Sequence, residues 1–334
     1  MKMKSEAVVF TEKNRVEIRT VNLRKPGPGE ILVKTKYSCI SPGTELRCLR
    51  GMEKNASPFP IVPGYSLSGT VLETGSGVKT MKPGDMVFSM GTADAGDVNV
   101  AWGGHISHAI SREEDLVSIP DGIPLDEACI TALAAISFHG VSLSRPLPNE
   151  KVIIVGLGII GRLSTSMHRL SGAEVIACDA SKERVEMARK SGITALVAGE
   201  NFAAELKKVF PDGADIVVDA TGSPAVTGKA MSFAKDVPWD NSLSSGARFL
   251  VQGSYEDSLQ IPYNTVFNKE ITVLFPRANQ KRDRLAVMNL MKRKLLNMKD
   301  LITGLYPFGK APECYEILKN PSQPGTLTFV LQWN

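Results

Sequence analysis

No apolar run in this chain is long enough to span a bilayer, and Met1-Lys-Met-Lys-Ser-Glu leads into a strand-like segment, not the apolar stretch of a signal peptide. No membrane association is expected, and the cytoplasm is the expected compartment. Cysteine is sparse: Cys39, Cys48, Cys129, Cys178 and Cys314 form no disulfide framework and read as reduced thiols packed as small apolar residues. An excess of one charge is also lacking. With 39 Lys and Arg against 35 Asp and Glu, the net charge of +4 predicts no nucleic-acid partner. The clusters Lys281-Arg282-Asp283-Arg284 and Lys292-Arg293-Lys294 read as solvated helix faces, with an anionic substrate as the alternative. Histidine is scarce too: of four, His105 and His108 are only a pair, and His139 and His168 read as packed or surface imidazoles of helical segments. There is no internal repeat and no low-complexity tract. The 334 residues, 43% hydrophobic, can bury a substantial core and suggest two domains.

Against these absences stands Lys151-Val-Ile-Ile-Val-Gly-Leu-Gly-Ile-Ile-Gly161. Val152 to Val155 reads as a strand buried on both faces, as in a parallel sheet. Gly156 permits a tight turn, Gly158 lets backbone approach a pyrophosphate, and Gly161 allows the following helix to pack on the strand. Leu157, Ile159 and Ile160 complete the phosphate loop, and the helix N-terminus supplies the positive end of its dipole. Asp179 closes the next strand, Glu174-Val-Ile-Ala-Cys-Asp, roughly twenty residues on, where a carboxylate accepts from adenosine ribose hydroxyls. That carboxylate repels a 2′-phosphate, so NAD is the expected cofactor. Lys182 and Arg184 fit either a moderating role or exposed helix positions.

Buried strands alternate with helices from about 136 to 276: Val152 to Val155, Glu174 to Cys178, Ala195 to Val197, Asp215 to Asp219, Arg248 to Gln252 and Glu270 to Leu274. Such a series predicts an α/β doubly wound parallel sheet of Rossmann type. The dinucleotide would cross its carboxyl ends, at the glycine turn, at Ala220-Thr221-Gly222 and at Gln252-Gly253. The first 130 residues differ, with short apolar runs broken by Pro-Gly-Pro-Gly, Ser-Pro-Gly, Val-Pro-Gly and Lys-Pro-Gly, the pattern of a β-barrel-like domain. Lys310 to Lys319 predicts an amphipathic helix and Gly325 to Leu331 a last strand, which together complete the N-terminal domain. The expected division is 1–135 with 277–334, and 136–276.

Pro26-Gly-Pro-Gly-Glu-Ile-Leu-Val-Lys, Pro58-Phe-Pro-Ile-Val-Pro-Gly64, Gly69-Thr-Val-Leu-Glu-Thr-Gly-Ser-Gly-Val and Lys82-Pro-Gly-Asp-Met-Val-Phe join the glycine loop in an order that resembles the medium-chain dehydrogenase/reductase superfamily end to end. That resemblance implies a GroES-like β-barrel catalytic domain beside the Rossmann domain. Zinc members carry a cysteine turn, a Gly-His-Glu motif and a third ligand before the cofactor domain. Here those positions read Ile40-Ser-Pro-Gly-Thr-Glu45, Gly64-Tyr-Ser66 and approximately Ala132, and Ser89 to Gly104 lacks the four cysteines of a structural zinc lobe. No metal is therefore expected. The Ser-Pro-Gly-Thr-Glu turn and the stretch from Leu301 to Leu318 are similar to a zinc-free branch likened to the hydroxyethyl bacteriochlorophyllide dehydrogenase, many of whose members act, or are proposed to act, on sugars and cyclitols. Gly304 stands where relatives of that branch commonly carry histidine.

Alcohol oxidation without a Lewis acid leaves the protein to accept the hydroxyl proton and orient the bond. Tyr65 is the candidate acid or base, or else a packing residue. A phenol near its ordinary pKa needs a neighbouring cation to act as a base, and Arg47 is the candidate. The resemblance makes Thr44 a proton-relay hydroxyl and Glu45 an acidic supporting residue; alternatively Ser41 and Thr44 are turn caps and Glu45 an ion-pair partner of Arg47. Trp102 and His105 are expected to line the substrate cleft, with Trp102 as a simple lid in the alternative. The polar turn Ser41 to Arg47 suits a hydroxyl-rich small molecule, because each hydroxyl taken from water needs a partner. The leading expectation is a zinc-independent NAD-dependent dehydrogenase of a secondary alcohol on a sugar-, aminosugar- or cyclitol-like substrate, or the reverse ketone reduction. A quinone or enone reductase and a non-enzymatic dinucleotide-sensing or structural protein are the alternatives. The apolar last strand, Glu270 to Phe275, is expected to pair with its copy in a homodimer.

Overall fold

The computed structural model describes residues 3–53, 58–240, 245–255, 258–320 and 323–334. The chain divides into two compact units, one running to Leu133 and resuming at Arg284, the other spanning Ala134–Asp283. No helix among the described residues is long and apolar enough to cross a membrane. All five cysteines are buried and unpaired.

In the first unit two sheets enclose an apolar core. One orders Arg15–Leu23, Met3–Glu12, Ile61–Val62 and Asn99–Val100; the other orders Ile302–Pro307, Thr328–Gln332, Glu30–Cys39, Leu67–Thr74, Met86–Ser89 and Val117–Ser118, with His108–Arg112 also on Glu30–Cys39. Val9, Leu23, Ile31, Val33, Leu67, Val87, Ile106 and Ile110 fill the space between them. The C-terminal strand pairs antiparallel with Glu30–Cys39, Val330 opposite Cys39. Beside it, Phe10, Ile40, Leu49, Tyr315, Phe329, Leu331 and Trp333 form a second cluster. The helix Ala311–Lys319, with proline near its start, turns Cys314 and Tyr315 into this cluster and leaves charged residues outside.

The second unit is a six-stranded sheet ordered Ala195–Val197, Glu174–Asp179, Lys151–Val155, Ile216–Asp219, Arg248–Val251 and Thr272–Leu274. Every pairing is parallel, and the order reverses between Lys151–Val155 and Ile216–Asp219, the switch point at which α/β sheets bind ligands. The β-branched runs are buried on both faces, as in Val152, Ile153 and Ile154. One expected strand is shorter than its apolar pattern. Glu270 takes φ +47°, and the N–H groups of Glu270 and Ile271 donate to Phe267 and Val266, closing the helix Tyr263–Asn268 before pairing begins at Thr272.

Candidate active site

The glycine turn has the form its sequence predicts. Gly156 sits at φ +98°, and a Cβ on Gly161 would fall 1.7 Å from the Gly156 carbonyl, so helix and turn touch through backbone alone. At Gly158, the N-cap of the helix Ile159–Leu170, an added Cβ would meet, beyond its chain neighbours and among the described residues, nothing nearer than Arg184 Nη1 at 4.0 Å. Backbone is thus accessible where a pyrophosphate would lie. Asp179 accepts from the N–H of Leu157 at 2.7 Å and of Ser181 at 2.8 Å. Arg184 is not simply an exposed helix residue: its guanidinium stands 3.6 Å from Asp179 Oδ2.

The neighbouring loop is held by Asp219, fully buried, which accepts from Thr221 N–H and Oγ1, from Thr227 Oγ1 and from the Tyr255 hydroxyl at 2.5 Å. Burial, with the Asp219 hydrogen bond, pushes the Tyr255 phenol up. Sequence reasoning missed Thr227 and Tyr255, because neither lies in a recognisable motif. Ala220, Thr221 and Gly222 meet Gln252 and Gly253 here, where a Cβ on Gly253 would come within 2.4 Å of Gly222 N. Gln252 Nε2 donates to the Ile136 carbonyl at 3.2 Å, and its buried Oε1 finds no partner among the described residues.

The first unit assembles a different set. Ser41 precedes the helix Pro42–Leu49, and its hydroxyl lies 2.5 Å from the Tyr65 hydroxyl. Tyr65 is 7% exposed, with Trp102 edge-on to its ring at 5.4 Å. Ser66 donates to the Cys129 carbonyl and accepts from Ala132 N–H at 3.3 Å. Of the three positions that the resemblance sets against zinc ligands, Ser41 and Tyr65 are in contact and Ala132 bonds the residue after Tyr65, so they present two hydroxyls and an alanine. Neither hydroxyl is the nitrogen or sulfur donor zinc prefers, and among the described residues no group of three or more His, Cys, Asp or Glu could hold a metal.

Beneath this pair lies a buried network. Glu45, fully buried, accepts from Ser41 N–H at 2.7 Å, from His105 Nε2 at 2.9 Å and from the Tyr315 hydroxyl. Burial drives the Tyr65 phenol up to about 12, against hydrogen bonds from Ser41 and Thr44 that favour the phenolate. Tyr65 therefore keeps its proton at neutral pH.

Two expectations are corrected. Arg47 does not pair with Glu45 and does not act on Tyr65 as an activating cation: its guanidinium is bonded to Glu53, and the phenol is shifted up instead of down. His105 does not line an open cleft. It is fully buried, with one ring nitrogen on Glu45 and the other on Ser38. Trp102 is 37% exposed and covers Tyr65, which fits the lid alternative. Two smaller departures follow from packing. Arg284 is buried while Lys281 and Arg282 are exposed, so the first basic cluster is not wholly a solvated face. A side chain at Gly304 would meet Tyr306 at 2.4 Å and Phe329 at 2.8 Å, so this ring pair leaves no room for one there.

Comparison with known proteins agrees with both halves. Residues 27–121 match the family model described as the alcohol dehydrogenase GroES-like domain, and 160–293 the model described as zinc-binding dehydrogenase. Ser41, Tyr65 and Ala132 all lie outside the second match. A 2-desacetyl-2-hydroxyethyl bacteriochlorophyllide A dehydrogenase of Cereibacter sphaeroides is 26% identical over 99% of both chains. A sorbitol dehydrogenase of Halalkalibacterium halodurans is 22% identical over 88% of this chain and 90% of its own. Among solved structures, a putative zinc-binding dehydrogenase from Sinorhizobium meliloti bound to NADP superposes with a TM-score of 0.83 at 22% identity, covering 99% of each chain. Acetophenone reductase from Geotrichum candidum in complex with NAD gives 0.82 at 21%, covering 98% and 97%. With a GroES-like domain, a parallel dinucleotide-type sheet and relatives aligned over nearly their whole length, the chain is an oxidoreductase of the medium-chain dehydrogenase/reductase superfamily, alcohol dehydrogenase-like in both domains.

Proposed function

We propose that the protein is a zinc-independent, NAD-dependent dehydrogenase that interconverts a secondary alcohol and its ketone on a sugar-, aminosugar- or cyclitol-like small molecule. The observation that carries this reading is the Ser41–Tyr65 hydroxyl pair, at positions that the family resemblance sets against the metal ligands of zinc members. Bound nicotinamide would take or give the hydride at C4; the chain's own residues handle the proton. Tyr65, protonated at neutral pH, donates a hydrogen bond to the reacting oxygen and gives up its proton as a ketone is reduced. In oxidation it receives the substrate proton as its own passes to Ser41 at 2.5 Å and Ser41, 6% exposed, releases its hydroxyl proton to water; in reduction the same relay runs backwards and restores the Tyr65 proton. Glu45 holds Ser41 by the backbone N–H and not by the hydroxyl, so it orients the pair and takes no proton through it.

NAD follows from Asp179, whose carboxylate lies beside the glycine turn and disfavours a 2′-phosphate. The polar substrate class is supported by the hydroxyls of Ser41, Thr44 and Tyr65 and by sugar and polyol dehydrogenases among the relatives. The test is a turnover screen of polyols, aminosugars and cyclitols with NAD and NADP, on protein assayed for zinc by elemental analysis. NAD-linked turnover by metal-free protein is expected. A stoichiometric zinc required for turnover refutes the metal-independent mechanism, and activity confined to quinones or enones refutes the substrate class.

A further inference from the structure

Both members of the Ser41–Tyr65 pair rest on one histidine, which the proposed chemistry does not itself use. Trp333, just beyond the strand Thr328–Gln332, donates its indole N–H to Ser38 Oγ at 2.9 Å. An indole can only donate, so Ser38 accepts there. The second contact of Ser38 Oγ is His105 Nδ1 at 2.8 Å, and no other acceptor for the hydroxyl proton is found among the described residues. The hydroxyl therefore donates to Nδ1. Proton count then puts the ring hydrogen on Nε2, which donates to Glu45 Oε2 at 2.9 Å. Glu45 in turn fixes the start of the helix Pro42–Leu49 by accepting from Ser41 N–H at 2.7 Å, while the Ser41 hydroxyl caps no N–H of the helix. That hydroxyl is left for Tyr65.

The same ring supports Tyr65 from below. Gly64, at φ +87°, lies so close that a Cβ would meet His105 Cδ2 at 2.6 Å and Nε2 at 2.7 Å. Its carbonyl accepts from Gly104 N–H at 2.6 Å, fastening the histidine loop to the residue before Tyr65. Ser38, Glu45, His105 and Tyr315 are all fully buried, and Trp333 is 2% exposed, so water does not compete for these bonds.

We propose that His105 is the positioning residue of this active site, held as the neutral Nε2–H tautomer by Ser38 and Trp333, and that it sets Ser41 through Glu45 and Tyr65 through Gly64. The proposal rests on the reading of Tyr65 as proton donor. Its first test needs no substrate: ¹⁵N-histidine NMR of the full chain, with His105 assigned by its loss in His105→Gln. The wild type is expected to show Nε2 protonated and Nδ1 bare. Trp333→Phe keeps the ring stack on Phe308 but removes the donor, so Ser38 becomes able to accept from Nδ1–H and the His105 signal shifts toward a mixture of forms. Turnover of that variant is expected to fall about tenfold with KM nearly unchanged, and His105→Leu about 10²-fold, the range for a small misplacement of reacting groups. His105→Gln, whose amide can still donate to Glu45, recovers part of the loss. A wild-type signal with Nδ1 protonated, or a Trp333→Phe protein unchanged in both spectrum and kcat, overturns the proposal. Should His105→Leu fail to fold, the wild-type spectrum and Trp333→Phe still decide it. Full turnover in Tyr65→Phe would instead overturn the reading beneath it while leaving the tautomer result intact.

Discussion

Replacing Tyr65 by phenylalanine removes one oxygen and leaves the ring against Trp102, so it isolates the hydroxyl that contacts Ser41 at 2.5 Å. Two magnitudes separate the chemical role from the packing role. Loss of one buried hydrogen bond, with Ser41 left short of a partner, costs about 1–3 kcal/mol of stability. Loss of a positioned proton donor costs about 10²–10⁴-fold in turnover, or about 3–5 kcal/mol of barrier. Urea unfolding measures the first, steady-state turnover with saturating dinucleotide the second, and dinucleotide affinity is expected to stay nearly unchanged. The pH profile adds a sign. With the phenol held up to about 12, the protonated form dominates from pH 6 to 10, so ketone reduction is expected to be flat over that range. If a phenolate were the working base, alcohol oxidation would climb about tenfold per pH unit over the same range. Full turnover in a folded Tyr65→Phe protein, measured with the true substrate, would refute the reasoning and make Tyr65 a packing residue.

The cofactor half of the site was far more legible in the sequence than the hydroxyl half, for a physical reason. A dinucleotide loop needs backbone geometry that only glycine provides at Gly156 and Gly161, and those requirements fall on neighbouring positions in one local stretch. The network under Tyr65 instead joins Ser38, Glu45, His105, Tyr315 and Trp333, and the Tyr315–Glu45 contact spans 270 positions. No periodicity encodes such a set, because each residue is an ordinary member of its own strand, helix or loop. The residue type of His105 is informative but its surroundings are not: a loop histidine beside tryptophan suggests an open cleft, whereas the absent Cβ of Gly64 lets the ring sink fully into the core. Arg47 failed similarly. Proximity in sequence suggested Glu45, but on the helix Pro42–Leu49 the Glu45 side chain turns back to the N-cap and the guanidinium reaches Glu53.

Three further outcomes are expected. Asp179→Ala should narrow the preference for NAD over NADP in direct titration, and Arg184→Ala should widen it, since the guanidinium 3.6 Å from Asp179 is the nearby cation able to meet a 2′-phosphate; tighter binding of NADP by the unmodified protein would overturn the assignment. The sheet ends at Thr272–Leu274 beside exposed Phe275, so two copies are expected to pair these edges, and light scattering that returned a monomer at micromolar concentration would count against it. The last concerns acid stability. His168 is fully buried, its Nδ1–H donates to the Ser164 carbonyl at 2.8 Å, and burial holds its pKa down at about 4 against an ordinary 6.5. The unfolded chain therefore binds the proton more tightly, so this group's contribution is fully present above pH 6.5 and is lost as pH falls toward 4. Between pH 7 and 5 the linkage amounts to about 2 kcal/mol. Urea unfolding of wild type and His168→Gln at both pH values isolates it: the wild type should lose about 2 kcal/mol more than the variant on acidification. Equal losses in the two proteins would show that His168 is already charged, or free to become so, inside the fold.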